Sequence, residues 1–458
     1  MVSAEGDFSK GKVSSLILRI GLPMMAAEFV NVLYNLVDRM YIGHLEETGT
    51  VALTGIGICF PLISLISAFA GFCGSGGAPL LSIARGAGQL DRAKRIQETA
   101  FTVMILTGLV LTLLLFPLAP VLLRLLGGDD ETIPFALSYF RIYVLGSVPV
   151  LVTLGMNSFI NAQGFAKTGM MTIVISAIIN IILDPVMIYV FDMGVAGAAL
   201  ATVISQLVGS LWILRFLTGS RPPLKITRLL VDRSVLKDIL KLGITGFTFR
   251  MTNSLTQAIV NIMLKAWGGA LSTVYVGAMS LISSVREFTS LPCNGITNGA
   301  QPVMGFNYGA KLYKRVSEAI RFSFLCALVV NTVIWALMML TPSVAFRIFT
   351  DDEQLIETAV HCARIYFGVF PFMAMQMAGQ YTFVALNYPR YALFFSLLRK
   401  VFLIAPLTLL LPGWGLGVDG VFWAEFISQL VGASACFLTM YRVIWSKMRH
   451  PERIPDAE

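Results

Sequence analysis

The hexapeptide ISQLVG is written twice in this chain, at 204–209 and again at 427–432, an offset of 223 residues. The same offset carries Gly194-Val195-x-Gly197 onto Gly417-Val418-x-Gly420 and Arg141-Ile142-Tyr143 onto Arg364-Ile365-Tyr366. It also carries Ala78-Pro79 onto Gln301-Pro302, Gly86-Ala87 onto Gly309-Ala310, and Arg92 onto Arg315. So many coincidences at one spacing mark an internal duplication. Each copy is about half of the 458 residues.

The composition says what is duplicated. Mean hydropathy is +0.77, 56% of residues are apolar and 13% are charged, against about 25% charged in soluble domains. This is a polytopic membrane protein. A helix needs about 20 residues to cross the hydrocarbon. Twelve candidate segments follow: 16–42, 50–82, 95–123, 133–160, 168–190, 195–217, 236–266, 273–305, 317–341, 354–385, 390–411 and 416–445. Pro23, Pro61, Pro149, Pro292, Pro371 and Pro406 fall inside them and are expected kink sites.

The expected fold is therefore all-α and integral to the membrane. Residues 1–217 form an N-terminal six-helix lobe, 218–235 a basic cytoplasmic linker, and 236–458 a C-terminal six-helix lobe. Six crossings return the chain to its starting side, so the lobes should be parallel repeats about a pseudo-two-fold axis along the membrane normal. Two such lobes suit alternating access, and a transporter is expected over a channel. Lysines and arginines gather on one side, for example Lys10, Lys12, Arg92, Arg95, Arg221, Lys225, Lys314, Arg315 and Arg449. The opposite loops carry acids such as Asp129, Asp130, Asp351 and Asp352. The positive-inside rule then places both termini in the cytoplasm of a multi-pass cell-membrane protein.

Two acids stand out inside apolar segments. Asp184 follows Asn180 by four residues with only Ile181, Ile182 and Leu183 between them, so both share one helix face. Asp38 follows Asn31 and Tyr34 at helical steps of 3 and 4. A carboxylate at mid-bilayer costs about 2.5–3.5 kcal/mol on insertion scales, which points to a partner or a task in the bundle interior. The two acidic faces are expected to meet and bind a proton or a cation. Arg286-Glu287 reads as a helix charge pair, Arg399-Lys400 as intramembrane bases and Glu28 as a third intramembrane acid, each without an assigned role.

Much chemistry is missing. No G-x-x-x-x-G-K-[ST] phosphate loop, H-E-x-x-H, G-x-S-x-G or paired-cysteine motif occurs, and the three histidines are scattered. Neither an enzyme nor a resident cofactor is expected, and the membrane pattern of the bases argues against nucleic acid as a partner. The glycine-rich FCGSGGAP (72–79) reads as close helix packing or a hinge. The six cysteines lie in apolar segments without paired spacing and read as small core residues.

QPVMGFNYGA (301–310), LRIGLPMMAAEFVNVLYNLVDRMYIG (18–43) and NIILDP (180–185) resemble the MATE family, the multidrug and toxin extrusion transporters, and most closely its DinF-like and MepA-like bacterial branch. The resemblance runs the length of the chain. It implies a V-shaped, monomeric antiporter in the membrane lipid that exports bulky, often cationic amphipathic compounds in exchange for H⁺ or Na⁺. It further implies a cation site in the N-terminal lobe, at Asp38, Asn180, Asp184 and Thr202, with Asn157 and Tyr34 as weaker correspondences, and a helix hinge at Pro23. Any bound metal would be Na⁺ at the first four. Other branches carry a critical acid on the seventh helix. That helix has only Asp238 here, at its cytoplasmic end, which favours the N-terminal lobe. A flippase or exporter of a lipid-linked or metabolite substrate is the alternative on the same scaffold.

Overall fold

A computed structural model describes residues 7–43 and 49–449. Each of the twelve expected segments is helical: α1 (Val13–Gly43), α2 (Gly49–Gly86), α3 (Leu90–Leu125), α4 (Ile133–Leu145 with Ser147–Ala162), α5 (Ala166–Pro185, extended by a π-helical turn Val186–Val190) and α6 (Gly194–Thr218). The second half gives α7 (Arg233–Trp267), α8 (Ser272–Gly309), α9 (Tyr313–Leu340), α10 (Glu353–Phe367 with Met373–Ala385), α11 (Pro389–Leu397, π-helical Leu398–Ile404, Ala405–Leu410) and α12 (Asp419–Met440, continued through Tyr441–Trp445 to Ser446–Arg449). No strand occurs among the described residues. Eight of these helices are individually long and apolar enough to cross a membrane, and the two parts of α4, bent by 59°, make a ninth span. The other three are α7 and α8, which carry more polar residues over 35 and 38 positions, and α10, which is broken by a turn at Phe370–Phe372.

The polar side chains of the spanning helices turn inward and large apolar ones face outward, as α5 shows. On α5 the buried face runs Gly169, Thr172, Ser176, Asn180 and Asp184, while Ile178 and Ile182 are more than half exposed. All six cysteines are free, five buried and Cys326 part-buried.

The duplication is legible in the backbone. Left-handed turn residues fall in pairs at the same offset of 223: Gly88 and Lys311 (φ 75° and 57°), Gly164 and Asn387 (94° and 62°), Gly194 and Gly417 (52° and 53°). Each ends or begins a helix at the same place in its half, because a left-handed residue cannot continue a right-handed helix. Two repeat-related acids sit at equivalent turns. The Asp352 carboxylate accepts from Leu355 N at 3.2 Å, and Asp129 accepts from Thr132 N at 2.8 Å.

The chain forms two compact units that exchange helix ends. Among the described residues, one is Ala26–Gly246 with Asp7; the other is Phe8–Met25 with the chain from Phe247 onward. The first part of α1 thus belongs with the C-terminal helices, and the first part of α7 with the N-terminal helices. The packing shows why. A Cβ on Gly76 of α2 would lie 2.3 Å from the Ile239 carbonyl oxygen of α7. Its repeat counterpart, Gly299 of α8, would place one 2.6 Å from the Gly21 nitrogen of α1. Backbones come this close only where no side chain intervenes. Repeat-related arginines hold the entering chain. Arg92 bonds Asp238 at 3.2 Å. Arg315 donates to the carbonyls of Phe8, Lys10 and Gly11 at 2.9–3.3 Å and to Asn307 Oδ1 at 2.9 Å.

The segment between the halves is strapped to the first unit. Leu224 N donates to Gln163 Oε1, Thr227 N to Glu98 Oε1, Leu230 N to Thr102 Oγ1 and Asp232 N to Thr99 Oγ1, at 3.0–3.2 Å. Leu224 and Ile226 are buried beneath it.

Candidate functional site

The N-terminal unit assembles its polar groups from four helices, α1, α4, α5 and α6. α5 presents Asn180 and Asp184 one turn apart on its buried face, 1% and 0% exposed. Asn180 Nδ2 donates to Asp184 Oδ1 at 3.1 Å and approaches Thr202 Oγ1 of α6 at 3.5 Å. The Asp38 carboxyl of α1 lies within hydrogen-bonding reach of Asp184. The second part of α1 is held there by the turn that extends α5, where the Tyr189 hydroxyl donates to the Tyr41 carbonyl at 2.6 Å and the two rings meet edge to face.

Sequence reasoning missed two tyrosines of this site. Tyr139 and Tyr143 of α4, both nearly buried and stacked with ring centres 6.1 Å apart, stand beside Tyr34, and Tyr139 also beside Asp38. Tyr143 lies inside the repeated Arg-Ile-Tyr, so the signal was present, but repetition suggested a structural role. Asn157 is placed elsewhere. Its Oδ1, with that of Asn161, faces Gly169, eleven residues before Asn180 on α5, which is about 16 Å along the axis. Pro23 lies within continuous helix, two residues before the point at which α1 passes from one unit to the other.

The group has a clear electrostatic deficit. Two carboxylates about 4 Å apart repel by about 4 kcal/mol at an effective dielectric constant of 20. One charge-assisted hydrogen bond, such as that from Asn180, returns about 1.5–3 kcal/mol. Asp184 Oδ2 and Asn180 Oδ1 are buried oxygens without a hydrogen-bond donor among the described residues. A proton shared by the two acids removes the repulsion. So does a small hard cation held by their oxygens with those of Asn180 and Thr202. The donor set, all oxygen, suits Na⁺ and would not select a soft metal.

The C-terminal unit holds a second polar cluster that the sequence did not assemble. Arg286 of α8 is not paired with Glu287, which is exposed; its Nη1 donates to the Tyr366 hydroxyl of α10 at 2.9 Å. Arg399 and Lys400, on the π-helical stretch of α11, are 5% and 6% exposed. Arg399 Nη2 bonds Glu425 Oε1 of α12.

Comparison with known proteins agrees with this architecture. The MatE family model matches residues 23–186 and 251–410. The multidrug export protein MepA of Staphylococcus aureus (strain NCTC 8325 / PS 47) is 23% identical over 436 residues, 95% of either chain. A crystal structure of a MATE protein in the bent conformation superposes with a TM-score of 0.91 at 22% identity, over 99% of this chain and all of that one. A MOP superfamily transporter from Pyrococcus furiosus, described for the reverse polarity of its binding pocket, gives 0.89 at 23% identity over 98% and 99%. The fold is the two-lobed helical architecture expected from the resemblance.

Proposed function

Because the chain belongs to the MatE family of multidrug transporters, we propose that it is a secondary antiporter of the cytoplasmic membrane, exporting bulky, often cationic amphipathic compounds in exchange for H⁺ or Na⁺. It is a transporter and not an enzyme, and its family works by ion coupling without a prosthetic group. The observation that carries the reading is the meeting of Asp38 with buried Asp184 beside Asn180 and Thr202. In this reading the empty pair is electrostatically unfavourable and the ion-loaded pair is not. Loading therefore draws α1 toward α5, and Pro23 is the point at which α1 bends. Tyr139 stands against Asp38 with Tyr34 and Tyr143 beside it, and Asn157 acts at a distance along α5. The one-sided basic residues support cytoplasmic termini by the positive-inside rule, and in this proposal the chain works as a monomer.

The test is ethidium efflux from proteoliposomes, with a pH gradient and a Na⁺ gradient imposed separately. Efflux driven by one gradient names the ion. No movement under either gradient sinks the drug-antiport reading and turns the search to lipid-linked or metabolite substrates.

A further inference from the structure

We propose that the C-terminal unit contains a binding site for an anionic group, at the position equivalent by internal repeat to the acidic site of the N-terminal unit. The equivalence comes from the offset of 223. It carries Tyr34 onto Gln257, Asp38 onto Asn261, Tyr143 onto Tyr366 and Thr202 onto Glu425. Two of these pairs adjoin or lie in the repeated motifs themselves: Thr202 and Glu425 stand two residues before ISQLVG, and Tyr143 and Tyr366 end Arg-Ile-Tyr. Gln257, Tyr366 and Glu425 line a cavity together with Arg286 and Lys400. It offers about 40 Å³ to the centres of water-sized atoms, where one water needs about 10–15 Å³. A few waters or one small oxyanion fits.

The charge in and around this cavity does not balance. Three bases (Arg286, Arg399, Lys400) face one part-buried carboxylate, Glu425, and that carboxylate is already bonded to Arg399. Glu287 also acts on Arg286, but from an exposed position. Arg399 has a buried Nε without a hydrogen-bond partner among the described residues, and its Nη1 reaches only the Met373 thioether at 3.6 Å. Lys400 lines the cavity and is 6% exposed, and among the described residues it makes no hydrogen bond or contact ion pair, although the Glu425 carboxylate that it shares with Arg399 attracts it. Unpaired cations buried in a membrane protein are expensive and mark sites of function. The π-helical stretch Leu398–Ile404 supplies both Arg399 and Lys400, and such irregularities recur at functional sites. A phosphate, sulfate or carboxylate in the cavity would complete the donors of Lys400 and Arg286. The anion is either a free inorganic ion or the acidic end of an exported organic compound.

The experiment uses the purified full-length protein in detergent. Its unfolding midpoint is followed against sodium phosphate, at an ionic strength held constant with gluconate, which is too large for the cavity. Carboxyfluorescein efflux from proteoliposomes forms the second arm. A saturable rise in midpoint, or carboxyfluorescein movement, is expected in the native protein and should weaken at least about tenfold in Lys400→Met, the loss of one charged contact. Lys400→Gln serves if the methionine variant is not recovered folded. Phosphate stabilisation without dye movement identifies a free anion. Lys400-dependent dye movement identifies a substrate acid group. Neither response in the native protein, or equal responses in the Lys400 variants, overturns the site and leaves a water-filled cavity. Asp184→Asn should keep the phosphate increment, so failure of ion coupling and failure of this site are told apart.

Discussion

In the N-terminal unit the position two residues before ISQLVG is Thr202, and the neighbouring helix α5 brings Asn180 and Asp184 to it. In the C-terminal unit the same position is Glu425, and the neighbouring helix α11 brings Arg399 and Lys400. Paired left-handed turn residues and paired close-approach glycines frame these positions in both units, while the π-helical winding falls at Val186–Val190, at the end of α5, and at Leu398–Ile404 within α11. The charges are reversed. Backbone geometry is held by constraints that both copies share, such as a turn that must close or two helices that must touch. A buried charge answers only to its neighbours and to whatever it binds, so one copy can exchange it without disturbing the other.

The largest effect should come from breaking the acidic half. Asp184→Asn or Asp38→Asn, at normal expression, is expected to bring ethidium efflux down to the background of empty liposomes. Asn261→Ala, at the repeat counterpart of Asp38, should leave most of it. Equal loss from both halves would show that the two sites do not divide the work. Next is Glu425→Gln, which strips from three bases the one carboxylate bonded among them in the described residues. It should cost about 3–5 kcal/mol in a denaturant titration in detergent, whereas Lys400→Met should hold or raise stability by removing the one of three crowded cations that makes no hydrogen bond among the described residues.

Smaller effects test the shared scaffold. Gly76→Ala and Gly299→Ala each force a methyl against a helix backbone and should each destabilise by about 1–3 kcal/mol. Markedly different costs would mean that the helix-end exchange is not equivalent in the two units. Arg315→Ala loses several hydrogen bonds to the entering chain, and faster hydrogen exchange at Phe8–Lys12 should report it. Its counterpart Arg92 makes an exposed pair with Asp238, with side chains 49% and 43% exposed, and Arg92→Ala should change stability by under about 1 kcal/mol.

Hydropathy, positive-inside charge and the 223-residue offset determined the membrane class, the twelve helices and the duplication, because lipid demands continuous apolar helices and a repeat leaves its spacing in the chain. They also brought out Asp38 and Asp184, since an acid in an aliphatic run is conspicuous. The helical step placed Asn180 with Asp184, but nothing in one sequence could show that Asp38 meets them, or that Tyr139 and Tyr143 stand beside it, because those contacts join helices far apart in the chain. Arg286 beside Glu287 looked self-neutralised in sequence. Adjacent residues on a helix point about 100° apart, and only the folded unit turns Arg286 to Tyr366 and leaves Glu287 outside. Likewise Arg399 and Lys400 stood out in sequence as intramembrane bases without a role, and the packing of α8, α11 and α12 is what gathered them with Arg286 around Glu425. Local spacing fixes which residues share a face; which faces are shut away together is decided by tertiary packing.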